Sequence, residues 1–140
     1  MQQAFERTPL RATTTELTYQ LFHRVIAFYC LLFGMLYWVR LIGYYDGPNW
    51  RFDLMPAHWQ VASVTLAVLF PFAASGLWMM ASWGPVIWFI CAAIEAVMYV
   101  GFPDLFGHRY QLVISHVLVA LLYATFRVVM LLQKRGQAEK

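Results

Sequence analysis

The sequence predicts an all-α fold: four transmembrane helices running up, down, up and down as a single bundle. Three observations carry that expectation. First, 61% of the 140 residues are hydrophobic, 18% aromatic and only 12% charged, a balance that suits a bilayer better than water. Second, apolar residues gather in four segments, 21–45, 57–81, 83–102 and 110–132. Each is near the ~20 residues that cross ~30 Å of hydrocarbon at ~1.5 Å per residue. Third, the stretches between them hold turn formers, Asp46-Gly47-Pro48-Asn49, Ser82 to Pro85 and Pro103 to Arg109, which unmake helices. Short connections place successive helices side by side, so residues 1–140 read as one integral membrane domain.

The first span follows a polar tail. Residues 1–18 include Glu6, Pro9 and Glu16 in place of a basic start and an apolar core, so a cleaved signal peptide is not expected and span one is a retained anchor. Thr13-Thr14-Thr15-Glu16 supplies hydroxyls followed by an acid, which predicts a helix start at Thr13 or Thr14. Along this span His23, Ala27, Cys30, Gly34, Tyr37, Leu41 and Tyr44 form one stripe. Its small residues Ala27 and Gly34 suit close approach by a neighbouring helix.

Span two carries Ser63 and Thr65 in one half and Ser75-Gly76 in the other, with Pro71 near its centre. The proline should kink the helix and free a carbonyl around Ala67, to be satisfied by a hydroxyl or by water. Span three repeats Trp88, Ala92, Glu95, Tyr99 and Phe102 at helical spacing, and span four repeats Arg109, Val113, His116, Ala120, Tyr123 and Arg127. Polar groups gathered on one stripe point to the bundle interior.

Orientation follows from the basic residues. With four spans the termini share a side, which collects Arg7, Arg11, Arg24, Arg127, Lys134, Arg135 and Lys140, against Arg40, Arg51 and Arg109 on the other. Seven against three places both termini in the cytoplasm of a bacterium, in its inner membrane. The net charge of +3 then reads as orientation and contact with anionic lipid. A nucleic-acid partner would need a clustered basic face, which is absent.

Glu95 is the most informative residue. It is the lone carboxyl between Trp83 and Phe102, and a carboxyl at bilayer depth needs a partner or a purpose. With the following loop centred on Phe106, Glu95 lies 11 residues before it and His116 lies 10 after, or ~16 Å against ~15 Å along antiparallel helices. The two side chains therefore reach similar depth, with Tyr99 and Tyr123 as supporting candidates. Burial and mutual attraction act in opposite senses on each group, so such a pair is suited to sharing one proton. Three roles stay open: a polar clasp that specifies helix packing, the handling of a proton, an ion or a polar ligand, or a contact between Glu95 and a partner protein.

Arg40 lies about five residues inside the end of span one, ~8 Å below the interface by helical rise, and is expected to snorkel outward, with a turn inward toward Glu95 or Asp46 as the alternative. Connection 44–56 mixes Tyr44, Tyr45, Trp50 and Phe52 with Asp46, Arg51, Asp53 and two prolines. It reads as an interfacial aromatic belt, or as a lid under which Arg40, Arg51 and Arg109 converge on an anionic group. Cys30 and Cys91 sit inside spans without a CxxC pattern and are expected to pack as small apolar groups. No metal is expected: a di-metal bundle would need several Glu and Glu-x-x-His motifs, His23 and His116 lie at different depths for haem, and His58 with His108 make a weak metal pair. No cofactor is required, although a quinone or a lipid suits a site of this kind.

Arg24 followed by Leu31-Leu32-Phe33-Gly34-Met35-Leu36 and three further apolar spans resembles the DoxX-type small four-span membrane proteins. That resemblance implies a link to quinone or thiol redox systems. The chain as a whole resembles more closely an uncharacterised family of small alphaproteobacterial integral membrane proteins, which implies topology without an activity. Three classes of function follow: a non-catalytic accessory or assembly subunit working with other membrane subunits or copies of itself, a DoxX-like redox-associated protein, and a proton- or ion-handling transporter component using Glu95 and His116. The first accounts best for the minimal soluble portion and the lack of nucleotide or metal motifs. Four spans without an internal repeat argue against a solitary carrier.

Overall fold

The structure is a computed structural model that describes residues 13–139. The polar tail with Arg7 and Arg11, and Lys140 at the other end, lie outside the described residues. Helix α1 spans Thr14–Ile42, α2 Ala57–Trp78 and α3 Trp83–Ala96, which runs on into a π-helical segment, Val97–Gly101. A single turn, α4, spans Pro103–Phe106, and α5 spans Tyr110–Ala138. Among the described residues four stretches are long and apolar enough to cross a membrane: α1, α2, α3 with its π-helical continuation, and α5.

Helix ends differ from apolar ends for a physical reason. Apolar residues mark the part of a helix that hydrocarbon solvates, whereas capping marks where its hydrogen bonds stop. Thus α1 begins at Thr14, where the Thr13 hydroxyl accepts from Glu16 N–H and the Glu16 carboxylate accepts from Thr13 N–H, the capping box expected from the sequence. It ends at Ile42, three residues short of the apolar segment's limit at 45, because Gly43 takes a left-handed φ of 74° and donates back to Val39 O. Such a cap suits glycine, which has no Cβ to clash. The fourth helix runs past 132 to Ala138, carrying a polar end beyond its apolar stretch.

The tightest packing joins α1 to α2. A Cβ on Gly34 would stand 2.7 Å from Pro71 Cδ, so the proline ring occupies the space that the glycine leaves. Pro71 has no N–H for the Ala67 carbonyl four residues earlier, and the Trp38 indole N–H of α1 donates to that oxygen at 2.9 Å. The freed carbonyl is where the sequence places it; its donor is an indole. A second close approach joins α2 to α3, where a Cβ on Gly84 would stand 2.6 Å from the backbone of Gly76. The intervening turn has Met80 at a φ of 57°, with Ala81 N–H bonded to Gly76 O and Met80 N–H to Leu77 O, a Schellman closure without its usual glycine.

The core runs through α1, α2 and α3, from Ile26, Ala27 and Cys30 to Leu66, Phe70, Trp88 and Cys91. The α1 stripe is buried as expected at His23, Ala27, Cys30, Gly34 and Tyr37. Helix α5 departs from its expected stripe: His116 alone is buried, Val113, Ala120 and Tyr123 are half-buried, and Arg109 and Arg127 are exposed. Its apolar surface faces outward at Ile114, Val117, Leu118, Leu121 and Leu122. Lipid solvates Leu as well as a core does, so apolar periodicity along α5 carries no information about which side meets the bundle.

Replacing Gly34 by Ala should destabilise the protein by about 1–3 kcal/mol, the usual cost of overpacking a tight contact. Denaturant unfolding in detergent micelles measures it. Gly136→Ala is the control, since a Cβ there meets nothing within 4 Å; equal midpoints for the two variants would refute the close-contact account.

Candidate functional site

Glu95 is fully buried, at 0% exposure, on the face of α3 that meets both α1 and α5. Tyr37 of α1 donates its hydroxyl proton to Oε1 at 2.6 Å, and the Nε2 atom of His116, from α5, pairs with Oε2. Each carboxyl oxygen is thus bonded by a group from a different helix, which is what a carboxyl in hydrocarbon requires. The depth match between Glu95 and His116 becomes contact because both side chains are turned inward.

Aromatic rings hold the two partners in place. Phe70 of α2 lies parallel to Tyr37 and to His116, with centroids 6.0 and 6.2 Å away and planes 13° and 16° apart. Tyr29, Phe33 and Trp88 complete the surround of the imidazole at 5.7 to 6.0 Å. Locking of both rings by packing leaves little rotamer freedom, so the hydrogen bonds form with little further entropy loss. The other imidazole nitrogen, Nδ1, is buried without a partner among the described residues. One proton lies between Nε2 and Oε2 whether the pair is written as carboxylate with imidazolium or as carboxyl with imidazole. The hydroxyl of Tyr29 bonds Ser115 at 2.7 Å, one residue from His116, a second polar tie between α1 and α5.

Two residues beyond Glu95 the α-helix widens into the π-helical segment. Phe102 precedes Pro103, whose ring disfavours helical geometry at that position; Phe102 sits at φ −132°, ψ 57° and donates back five residues to Val97 O. Bulges of this type recur beside functional residues. Here the segment carries Tyr99, 1% exposed, into the electrostatic neighbourhood of Tyr37, Glu95 and Arg40.

The sequence candidates therefore divide. Glu95 and His116 meet, and Tyr99 stands beside them. Tyr123 does not: two turns along α5, it packs against His23 and Phe89 at 5.9 and 5.8 Å. Arg109 is exposed at the start of α5. Arg40 does not snorkel but lies inside at 6% exposure, under Trp50 and beside Trp59, with its guanidinium carbon 4.5 and 4.8 Å from those rings. Cation–π attraction with two indoles, supplied by the connection and by α2, outweighs the short reach to water. Cys30 and Cys91 are free and fully buried. His58 bonds Leu105 O at 3.2 Å, and His108 is exposed against Tyr110.

Tyr37 is the partner that sequence reasoning missed. It lies on the small and polar stripe of α1, but a tyrosine toward a helix end is ordinarily an interfacial anchor. The available signal was its position one turn from Gly34 and two turns from Cys30 on that stripe.

Tyr37→Phe, which leaves Oε1 without its donor, is expected to cost about 1–3 kcal/mol of stability. In a double-mutant cycle with His116→Ala the two losses should be non-additive, since both act on one carboxyl. Additive losses in detergent unfolding would show that the three groups do not act together.

No curated protein and no solved structure matches this chain. A family model described as a family of unknown function, DUF6163, matches residues 17–134, from the first turn of α1 to the last polar stretch of α5. It includes Tyr37, Glu95 and His116, and on that coverage the chain belongs to the DUF6163 family of unknown function.

Proposed function

We propose that the protein is an accessory subunit of a larger assembly in the bacterial inner membrane, and that Tyr37, Glu95 and His116 form its proton-holding centre. The observation that carries the proton reading is a fully buried carboxyl bonded from two other helices by a phenol and an imidazole. Phenol, carboxyl and imidazole all exchange protons, and imidazole does so near neutral pH in water. In the proposed topology the helices run up, down, up and down with both termini cytoplasmic, as the seven-to-three division of basic residues favours. An accessory role is supported by the outward apolar face of α5, which leaves a whole helix available to neighbouring subunits.

A second reading treats the three residues as a clasp alone. The observation favouring it is that His116 is the one buried residue of α5, so the contact with Glu95 is a main tie holding that helix. The readings separate on Glu95→Gln, which keeps an acceptor for Tyr37 but has no exchangeable carboxyl proton.

Two measurements test the proposal. Infrared difference spectra of the purified protein on proton uptake should show a carboxyl band that disappears in Glu95→Gln; an unchanged difference spectrum would refute proton holding and leave the clasp. Purification in mild detergent should bring down defined membrane partners. Recovery of the chain alone, from membranes at native expression, would count against the accessory role.

A further inference from the structure

Arg40 is a cation without an anion. Its side chain is enclosed by Tyr37, Trp50 and Trp59, and Nη1 is buried with no hydrogen-bond partner among the described residues. Among the described residues no carboxylate forms an ion pair with Arg40. Asp53 takes Arg51 in a two-point pair at 2.8 and 3.2 Å, and Glu95 takes Tyr37 and His116. Arg109 adds a second positive charge to the electrostatic surroundings of Arg40.

Burial of a guanidinium is costly unless an anion and hydrogen bonds compensate it. Cation–π contacts do so only in part, and their geometry matters. A ring face offers no lone pair to an N–H, so the guanidinium donors still need acceptors in their own plane. That edge is therefore unsatisfied at Nη1, and the two oxygens of an oxyanion are the acceptors that match it best.

The connection between α1 and α2 builds the enclosure. Gly43 ends α1 with a left-handed turn two residues after Leu41, and the chain returns over the helix end through successive turns at 47–50 and 51–55. Gln60 of α2 pins it by donating to Phe52 O at 2.9 Å. Trp50 and the buried Met55 turn inward, while Tyr44, Tyr45, Phe52 and Leu54 turn outward. One segment thus serves as belt on its outer side and as roof on its inner side.

We propose that the unsatisfied edge of Arg40 is an oxyanion site that binds a phosphate group, either the headgroup phosphate of a phospholipid in the adjacent leaflet or free inorganic phosphate. The site is separate from the proton-holding centre, and its test does not depend on that reading. The full chain in maltoside detergent is titrated with inorganic phosphate and, in parallel, with micelles containing phosphatidylglycerol or its phosphate-free counterpart diacylglycerol, while thermal unfolding is followed by tryptophan fluorescence.

A ligand that binds only the folded state raises the midpoint saturably. The expected result is such a rise with phosphate, with phosphatidylglycerol or with both, and none with diacylglycerol. A response to inorganic phosphate identifies a free oxyanion as sufficient; a response to the phospholipid alone identifies the headgroup. Arg40→Met should weaken the binding about tenfold or more, the loss typical of a charge-assisted pair, and Arg40→Lys, which keeps the charge without the fork, should weaken it less. If Arg40→Met does not fold, Arg40→Lys carries the comparison. No rise with either phosphate source, or the same rise in the Arg40 variants, overturns the proposal.

Discussion

The satisfaction of one carboxyl in a medium without water organises this molecule. Glu95 has nowhere to find solvent, so its two oxygens must be met from inside the protein. The partners come from α1 and α5, which are remote in sequence from each other, and α2 contributes Phe70 to hold both in orientation. A single polar requirement thus draws on all four membrane helices. It matters most for α5, which otherwise presents apolar surface to its surroundings and gains little from burial, because in lipid the hydrophobic effect does not drive helices together.

The remaining association rests on shape. Gly34 admits the ring of Pro71, and Gly76 admits Gly84 and Trp83. These contacts work by dispersion at short range, which needs small residues on one side and bulk on the other. Pro71 shows how a local defect becomes a specific contact: the carbonyl it frees is bonded by Trp38 of the neighbouring helix, so the position that weakens α2 also fixes its register against α1.

Two charged groups therefore lie within one membrane bundle under different rules. Glu95 is compensated by hydrogen bonds and sits deep; Arg40 is compensated by aromatic faces and sits under a roof at the end of α1. Tyr37 adjoins both, donating its hydroxyl to Glu95 and presenting its ring to Arg40 at 5.9 Å. The π-helical segment brings Tyr99 to the same region.

What the sequence determined by itself is the set of local terms. Four apolar stretches, their turn-forming punctuation, the capping box at Thr13 and Glu16, the small residue at Gly34 and the freed carbonyl at Ala67 each follow from interactions within a few residues or with the solvent. The match in depth of Glu95 and His116 was legible too, because helical rise converts residue counts into ångströms. Rotation about the helix axes was not, since a lipid-facing leucine and a core leucine read alike. Only the tertiary structure decided that Tyr37 completes the carboxyl's partners, that Tyr123 belongs to a different cluster around His23, and that Arg40 turns inward beneath Trp50. Each of those outcomes depends on which side chain from a distant element fills the same space, and no spacing along one helix encodes that.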